Sequence, residues 1–129
     1  MRVLLDTHIL LWATALPGRL PSAVASILQS PDTRPYFSVV NIWEVAIKAA
    51  LGRSDFTVEP DKLRHRWLDN GYVELDVAGD HAVAIGQLPP IHRDPFDRML
   101  VTQATVEGLE LLTSDPMVAK YPGPIRYFS

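Results

Sequence analysis

The sequence contains no cysteine, which excludes disulfide bonds, thiolate metal ligands and a cysteine nucleophile. It also lacks any run approaching the ~20 apolar residues of a membrane span, so no membrane-embedded role is expected. Positive charge is not in excess: 12 Lys+Arg face 15 Asp+Glu, a formal net charge of −3. The chain is therefore no polycation that coats nucleic acid through bulk charge, although nucleic acid is not excluded as a substrate. Repeats, low-complexity tracts and linkers are absent, and the 11 prolines and 7 glycines are dispersed. With 129 residues the chain reads as one domain spanning 1–129. That length buries roughly two-thirds of the unfolded surface, enough for a core without covalent staples. Met1-Arg2 and the apolar residues to Leu16 have the outline of a signal peptide, with Ala13-Thr14-Ala15 as its cleavage site. Asp6 and His8 interrupt the apolar region and a single basic residue precedes it, so a cytoplasmic location is expected.

What is present is an alternation of strands and helices. Arg2 to Leu5 reads as a buried strand, and Thr7 as the N-cap of an apolar helix to about Leu16, broken by Pro17-Gly18. A second helix follows Pro21. Pro35 to Val39 is the next strand, followed by a helix from about Asn41 to Leu51. Trp43, Ala46, Ile47, Ala50 and Leu51 form an apolar stripe on that helix. Pro60 to Asp69 is a charged helix, Tyr72 to Val77 a strand, and Gly79 to Gln87 a short helix. Asp94-Pro95 supplies an N-cap and first turn for a helix that Gly108 ends; strands follow at Leu109 to Thr113 and Ile125 to Phe128. Five such units indicate an α/β domain with a mostly parallel five-stranded sheet and helices on both sides. Folds of this kind bind ligands beyond the carboxyl ends of their strands, which selects Asp6, Ser38 and Asp115.

Each acid near that rim has a local structural explanation. Asp6 suits a turn, and Glu44 suits a pair with Lys48 worth only ~0.3–0.5 kcal/mol. Asp94 suits an N-cap, Asp97 gains from the helix dipole, and Asp115 suits a cap ahead of Pro116. Together they strain those explanations, because converging carboxylates repel one another unless something positive sits among them. A hard divalent cation meets that need, lowering the pKa of bound water and clamping phosphodiester oxygens. A zinc-type cluster is not expected: there is no Cys, and His8, His65, His81 and His92 show no ligand-like spacing.

The spread pattern of Val3-Leu4-Leu5-Asp6-Thr7, Asn41-Ile42-Trp43-Glu44, His92-Arg93-Asp94-Pro95-Phe96-Asp97-Arg98-Met99-Leu100 and Thr113-Ser114-Asp115 resembles PIN-domain ribonucleases. It looks most like the VapC toxins of bacterial and archaeal toxin–antitoxin pairs, over essentially the whole chain. The resemblance implies Asp6, Asp97 and Asp115 as metal ligands and Glu44 as the helix-borne acid that positions the metal or the attacking water. Asp94 is assigned to capping and support, and Thr7 together with Ser38 or Ser114 to hydrogen bonds with the carboxylates or a metal-bound water. It further implies Mg²⁺ or Mn²⁺, endonucleolytic RNA cleavage leaving a 5′-phosphate, a homodimer, and inhibition by a VapB-type antitoxin.

Arg93 and Arg98 stand beside the acids and are candidates for substrate phosphates. Lys48, Arg53, Lys62, Arg64 and Arg66 cluster as a candidate RNA-steering face. Trp12, Trp43 and Trp67 read as core or interface, Ile9-Leu10-Leu11-Trp12 as a candidate partner surface, and His92 as a loop hydrogen-bonding residue. Two alternatives compete with a nuclease: a non-catalytic PIN-like module that binds metal or RNA, and an Asp-based phosphotransfer enzyme. The latter would want a second acid two residues after Asp6, where His8 stands.

Overall fold

The computed structural model describes residues 1–53 and 57–129. Five strands form one sheet: β1 (Arg2–Leu5), β2 (Arg34–Ser38), β3 (Val73–Leu75), β4 (Glu110–Thr113) and β5 (Ile125–Tyr127). Their order is β3-β2-β1-β4-β5 and every pairing is parallel. The helices are α1 (Thr7–Ala15), α2 (Ser22–Gln29), α3 (Val39–Ala50), α4 (Pro60–Asp69), α5 (Gly79–Ala84) and α6 (Pro95–Glu107). Successive residues of a strand face opposite sides, and the central strand β1 shows it. Val3 and Leu5 pack into a cluster with Ile9, Val24, Leu63 and Trp67, whereas Leu4 packs with Leu100, Val101, Ala104 and Leu111. Two apolar layers thus sandwich the sheet.

The expected elements form, with boundaries shifted by a residue or two. One shift matters chemically: α1 is capped by Asp6, whose carboxylate accepts from the Ile9 amide, and Thr7 is its first helical residue. Helix α3 begins two residues earlier than the periodicity suggests, because Ser38 and Asn41 form a capping box at its start. Asp94 caps α6 through the amides of Phe96 and Asp97, and Gly108, at φ 69°, closes that helix in the left-handed conformation glycine tolerates.

One expectation about surfaces is corrected, and two other features gain a direction. The apolar stripe of α3 faces outward: Trp43 is 57% and Leu51 74% exposed, with Ile47 between them. The face turned inward carries Val40, Asn41, Glu44 and Val45. Conversely, Ile9, Leu10 and Leu11 are core, since α1 must cover the sheet, and offer no partner surface. Of the basic cluster, Arg53, Lys62, Arg64 and Arg66 are exposed and Lys48 alone turns inward. Lys62 pairs with Glu59, Arg64 grips Glu74 through two bonds, Arg66 donates to the Thr14 carbonyl, and Lys48 turns toward Glu44.

Candidate active site

Chain direction locates the site. From β1 the chain moves outward to β2 and β3, then crosses back to β4 on the other flank of β1. The carboxyl ends of β1 and β4 therefore splay apart at a topological switch point, where such sheets bind ligands. Asp6 follows β1 there and Asp115 lies just past β4. The amino-terminal ends of α1 and α6 and the inner face of α3 close the crevice. The resulting cavity, of about 380 Å³, is lined by Asp6, Glu44, Asp94, Asp97 and Asp115, together with Thr7, His8, Trp12, Lys48, His92, Ser114 and Pro116. Residues up to 110 positions apart in sequence, Asp6 and Pro116, meet here.

Each acid is held differently. Asp6 is buried; one oxygen accepts the Ile9 amide and the other the Thr113 hydroxyl. Burial pushes its carboxyl up to about 6, against the lowering effect of those hydrogen bonds. Glu44 is 3% exposed, and both its oxygens are engaged: Thr7 donates to one at 2.5 Å and Lys48 to the other at 2.5 Å. Asn41 in turn donates to the Thr7 hydroxyl oxygen and to the Leu5 carbonyl, tying α3 to the end of β1. Asp115 accepts from the Met117 amide, the local cap expected of it.

Asp97 is the most perturbed group. Burial first, then the charges of Asp94, Glu44, Asp6 and Asp115, push its carboxyl up to about 8. Its Oδ2 lies 3.1 Å from His92 Nε2. His92, Asp94 and Asp97 can bring ligand atoms within 4.8 Å of one another, the one such trio among the described residues. Sequence spacing gave His92 no ligand role, since it sits in an irregular loop whose path only the fold defines. That loop is pinned by Tyr121, whose hydroxyl accepts from the His92 amide and donates to the His92 carbonyl.

The remaining candidates separate. Thr7 reaches an acid directly, and Ser114 lines the cavity with its buried hydroxyl unpartnered among the described residues. Ser38 does not reach the acids: as the N-cap of α3 its hydroxyl turns to the free Val40 amide of the first turn and donates to Gln103. Arg98 is consumed by the preceding loop, donating to the Pro89 and Leu88 carbonyls and the Tyr121 hydroxyl. Arg93 is exposed and outside the cavity lining. Thr113 and Asn41 are supporting groups that sequence reasoning missed; the side-chain oxygen needed at the end of β4 is in the Thr113-Ser114-Asp115 segment, one residue before the serine proposed.

The donor set fits a hard divalent cation. Five carboxylates converge where Lys48 is the one lysine or arginine among the described lining residues, and hard cations take oxygen ligands.

No curated protein sequence matches the chain. Solved structures do match in fold. VapBC2 of Rickettsia felis bound to a promoter DNA fragment is similar with a TM-score of 0.74 at 14% identity, each chain covered over 100%. VapBC-1 of nontypeable Haemophilus influenzae gives 0.64 at 17% identity, covering 98% of both chains. A toxin–antitoxin complex of Klebsiella pneumoniae gives 0.63 at 20% identity, covering 96% of this chain and 95% of that one. The sequence itself matches the PIN domain family over residues 3–124, a span that contains all five acids of the cavity and stops just before β5, and the chain belongs to that family.

Proposed function

We propose that this PIN domain is a metal-dependent endoribonuclease, the toxin of a VapBC-type pair. The observation that carries the reading is the convergence of five carboxylates on one open cavity, with Asp97 pushed up to about 8 by burial and its neighbours. Such a group is poised to exchange its proton for a cation near neutral pH. Asp6, Asp97 and Asp115 would hold Mg²⁺ or Mn²⁺, with His92 and Asp94 adjoining. The ion supplies Lewis acidity and a lowered pKa for water at a phosphodiester. The chain's own residues do the positioning. Thr113 and the Ile9 amide fix the Asp6 carboxylate, Thr7 and Lys48 fix Glu44, and Asp94 holds the first turn of α6 so that Asp97 points into the cavity. Glu44, kept in one orientation, is placed to receive a hydrogen bond from the attacking water. Trp12 and His8, whose ring centroids are 6.0 Å apart, form an aromatic wall of the same cavity.

An antitoxin partner and a homodimer belong to the same proposal. Their support is the family, the toxin–antitoxin structures of like fold, and the exposed Trp43, Ile47 and Leu51 face of α3. No helix among the described residues is long and apolar enough to cross a membrane; a cytoplasmic location and an RNA substrate belong to the proposal. The test is direct: purified, antitoxin-free protein should cut RNA in Mg²⁺ and spare it in EDTA, leaving 5′-phosphates. RNA left intact across broad substrate pools would favour a binding module instead.

A further inference from the structure

Lys48 follows Glu44 by one helical turn, a spacing that on sequence alone suggests an outer ion pair. The structure places it elsewhere. Trp43, Ile47 and Leu51 take the outward face of α3, and Lys48 is drawn inward with its side chain 16% exposed. Its Nζ lies 2.5 Å from Glu44 Oε2 and 3.8 Å from Asp94 Oδ2, above the Phe96 ring. Burial favours the neutral amine, but Glu44, Asp94 and Asp97 more than reverse this and raise its pKa, so the residue stays an ammonium.

A site that takes two divalent ions holds them about 3.5–4 Å apart and needs carboxylate oxygens for both. Here the second set is already used. Glu44 gives one oxygen to Thr7 and the other to Lys48, while Asp94 gives one to the amides of Phe96 and Asp97 and turns the other toward Lys48. A divalent ion arriving at these oxygens would have to displace an ammonium held by a short charge-assisted bond. Asp6, whose oxygens meet only the neutral Ile9 amide and Thr113 hydroxyl, and Asp97 and Asp115 pair with no lysine or arginine among the described residues, and these three remain for a single ion.

We propose that Lys48 is the resident cation of the site: its ammonium takes the part of a second divalent ion beside Glu44 and Asp94, so the chain binds one divalent ion. Lys48 then also presents fixed positive charge to the cavity where a substrate phosphate would enter. The inference rests on reading the cavity as a metal centre, and its test needs no RNA.

Mn²⁺ titrated into the antitoxin-free full chain, read by electron paramagnetic resonance of the unbound ion and by calorimetry, counts the sites. Wild-type protein is expected to bind one ion per chain, K48M two, and K48R one, because arginine keeps the charge. K48Q, which retains a donor to Glu44, replaces K48M should the latter fail to melt cooperatively, and is likewise expected to bind two. Two ions in the wild type, or one in the charge-neutral variant, overturns the proposal. No bound ion overturns both it and the metal-dependent reading, whereas a chain that binds one ion and leaves RNA uncut overturns the nuclease reading alone.

Discussion

Two clusters of buried polar groups flank the carboxyl end of the sheet, and they are built on opposite principles. In one, Ser38 donates to Gln103, Gln103 donates to the Asp76 carbonyl, and His81 accepts the Ala78 amide through Nδ1 while its Nε2 meets Glu107 at 2.8 Å. Every group named there has a partner of matching sense, and the network ties α5 and α6 to β2. In the other, five carboxylates share a cavity with one ammonium. A closed polar network stiffens a fold; an open one of a single charge sign costs stability until a ligand completes it. The contrast separates structure from function more sharply than burial does, since Gln103 and Glu44 are both buried.

The largest effect should follow from removing charge on the open side. Asp97→Asn or Asp6→Asn is expected to lower the RNA cleavage rate by about 10²–10³-fold or more. Urea unfolding of the metal-free D97N protein at pH 9 should nonetheless show unchanged or greater stability. Equal cleavage by parent and variants would dissolve the site assignment.

The pH dependence of the metal-free protein comes next. Asp6 and Asp97 titrate at about 6 and about 8 in the folded chain, above the 3.8 of a free aspartate. A carboxyl raised in this way binds more protons folded than unfolded, so stability falls as pH rises between the two values. The melting temperature in EDTA should therefore decline by several degrees from pH 4 to pH 9, and saturating Mg²⁺ should flatten the upper part of that slope. A flat profile without metal would mean that the cluster is not electrostatically frustrated.

On the closed side, Gln103→Ala leaves the Ser38 hydroxyl unpaired and should destabilise the fold by about 1–3 kcal/mol in urea while the Mn²⁺ count stays unchanged. A lost ion in that variant would show the two clusters to be one. The smallest effect is expected from Thr113→Val, which keeps the side-chain shape but removes the hydrogen bond to Asp6. Since that bond holds the Asp6 carboxyl down, the variant should bind Mn²⁺ roughly tenfold more weakly, about 1.4 kcal/mol, a loss in the range of one hydrogen bond to a charged group.

Legibility in the sequence followed the range of the interaction. Asp94 as cap and Pro95 in the first turn of α6 were readable because both effects act within one turn. Asp6, Glu44, Asp94, Asp97 and Asp115 were readable as candidates through strand ends and a family pattern, and the fold brings all five to one cavity. Periodicity found the stripe on α3 but not its direction: a helix with an apolar and a mixed face fits either way until the neighbouring elements are placed. Likewise Ser38 and Arg98 sit close to the acids in sequence or strand position, yet capping and loop carbonyls claim them first.

The sequence by itself determined that this is one cysteine-free α/β domain with acids at the ends of its strands, because alternation, caps and strand–acid junctions are local properties of the chain. Only the tertiary structure decided which polar groups are completed by neighbours and which converge as an excess of carboxylates on one cavity. That outcome depends on β1 and β4 lying side by side and on α3 turning Glu44 and Lys48 inward, and both are contacts between residues distant in the chain.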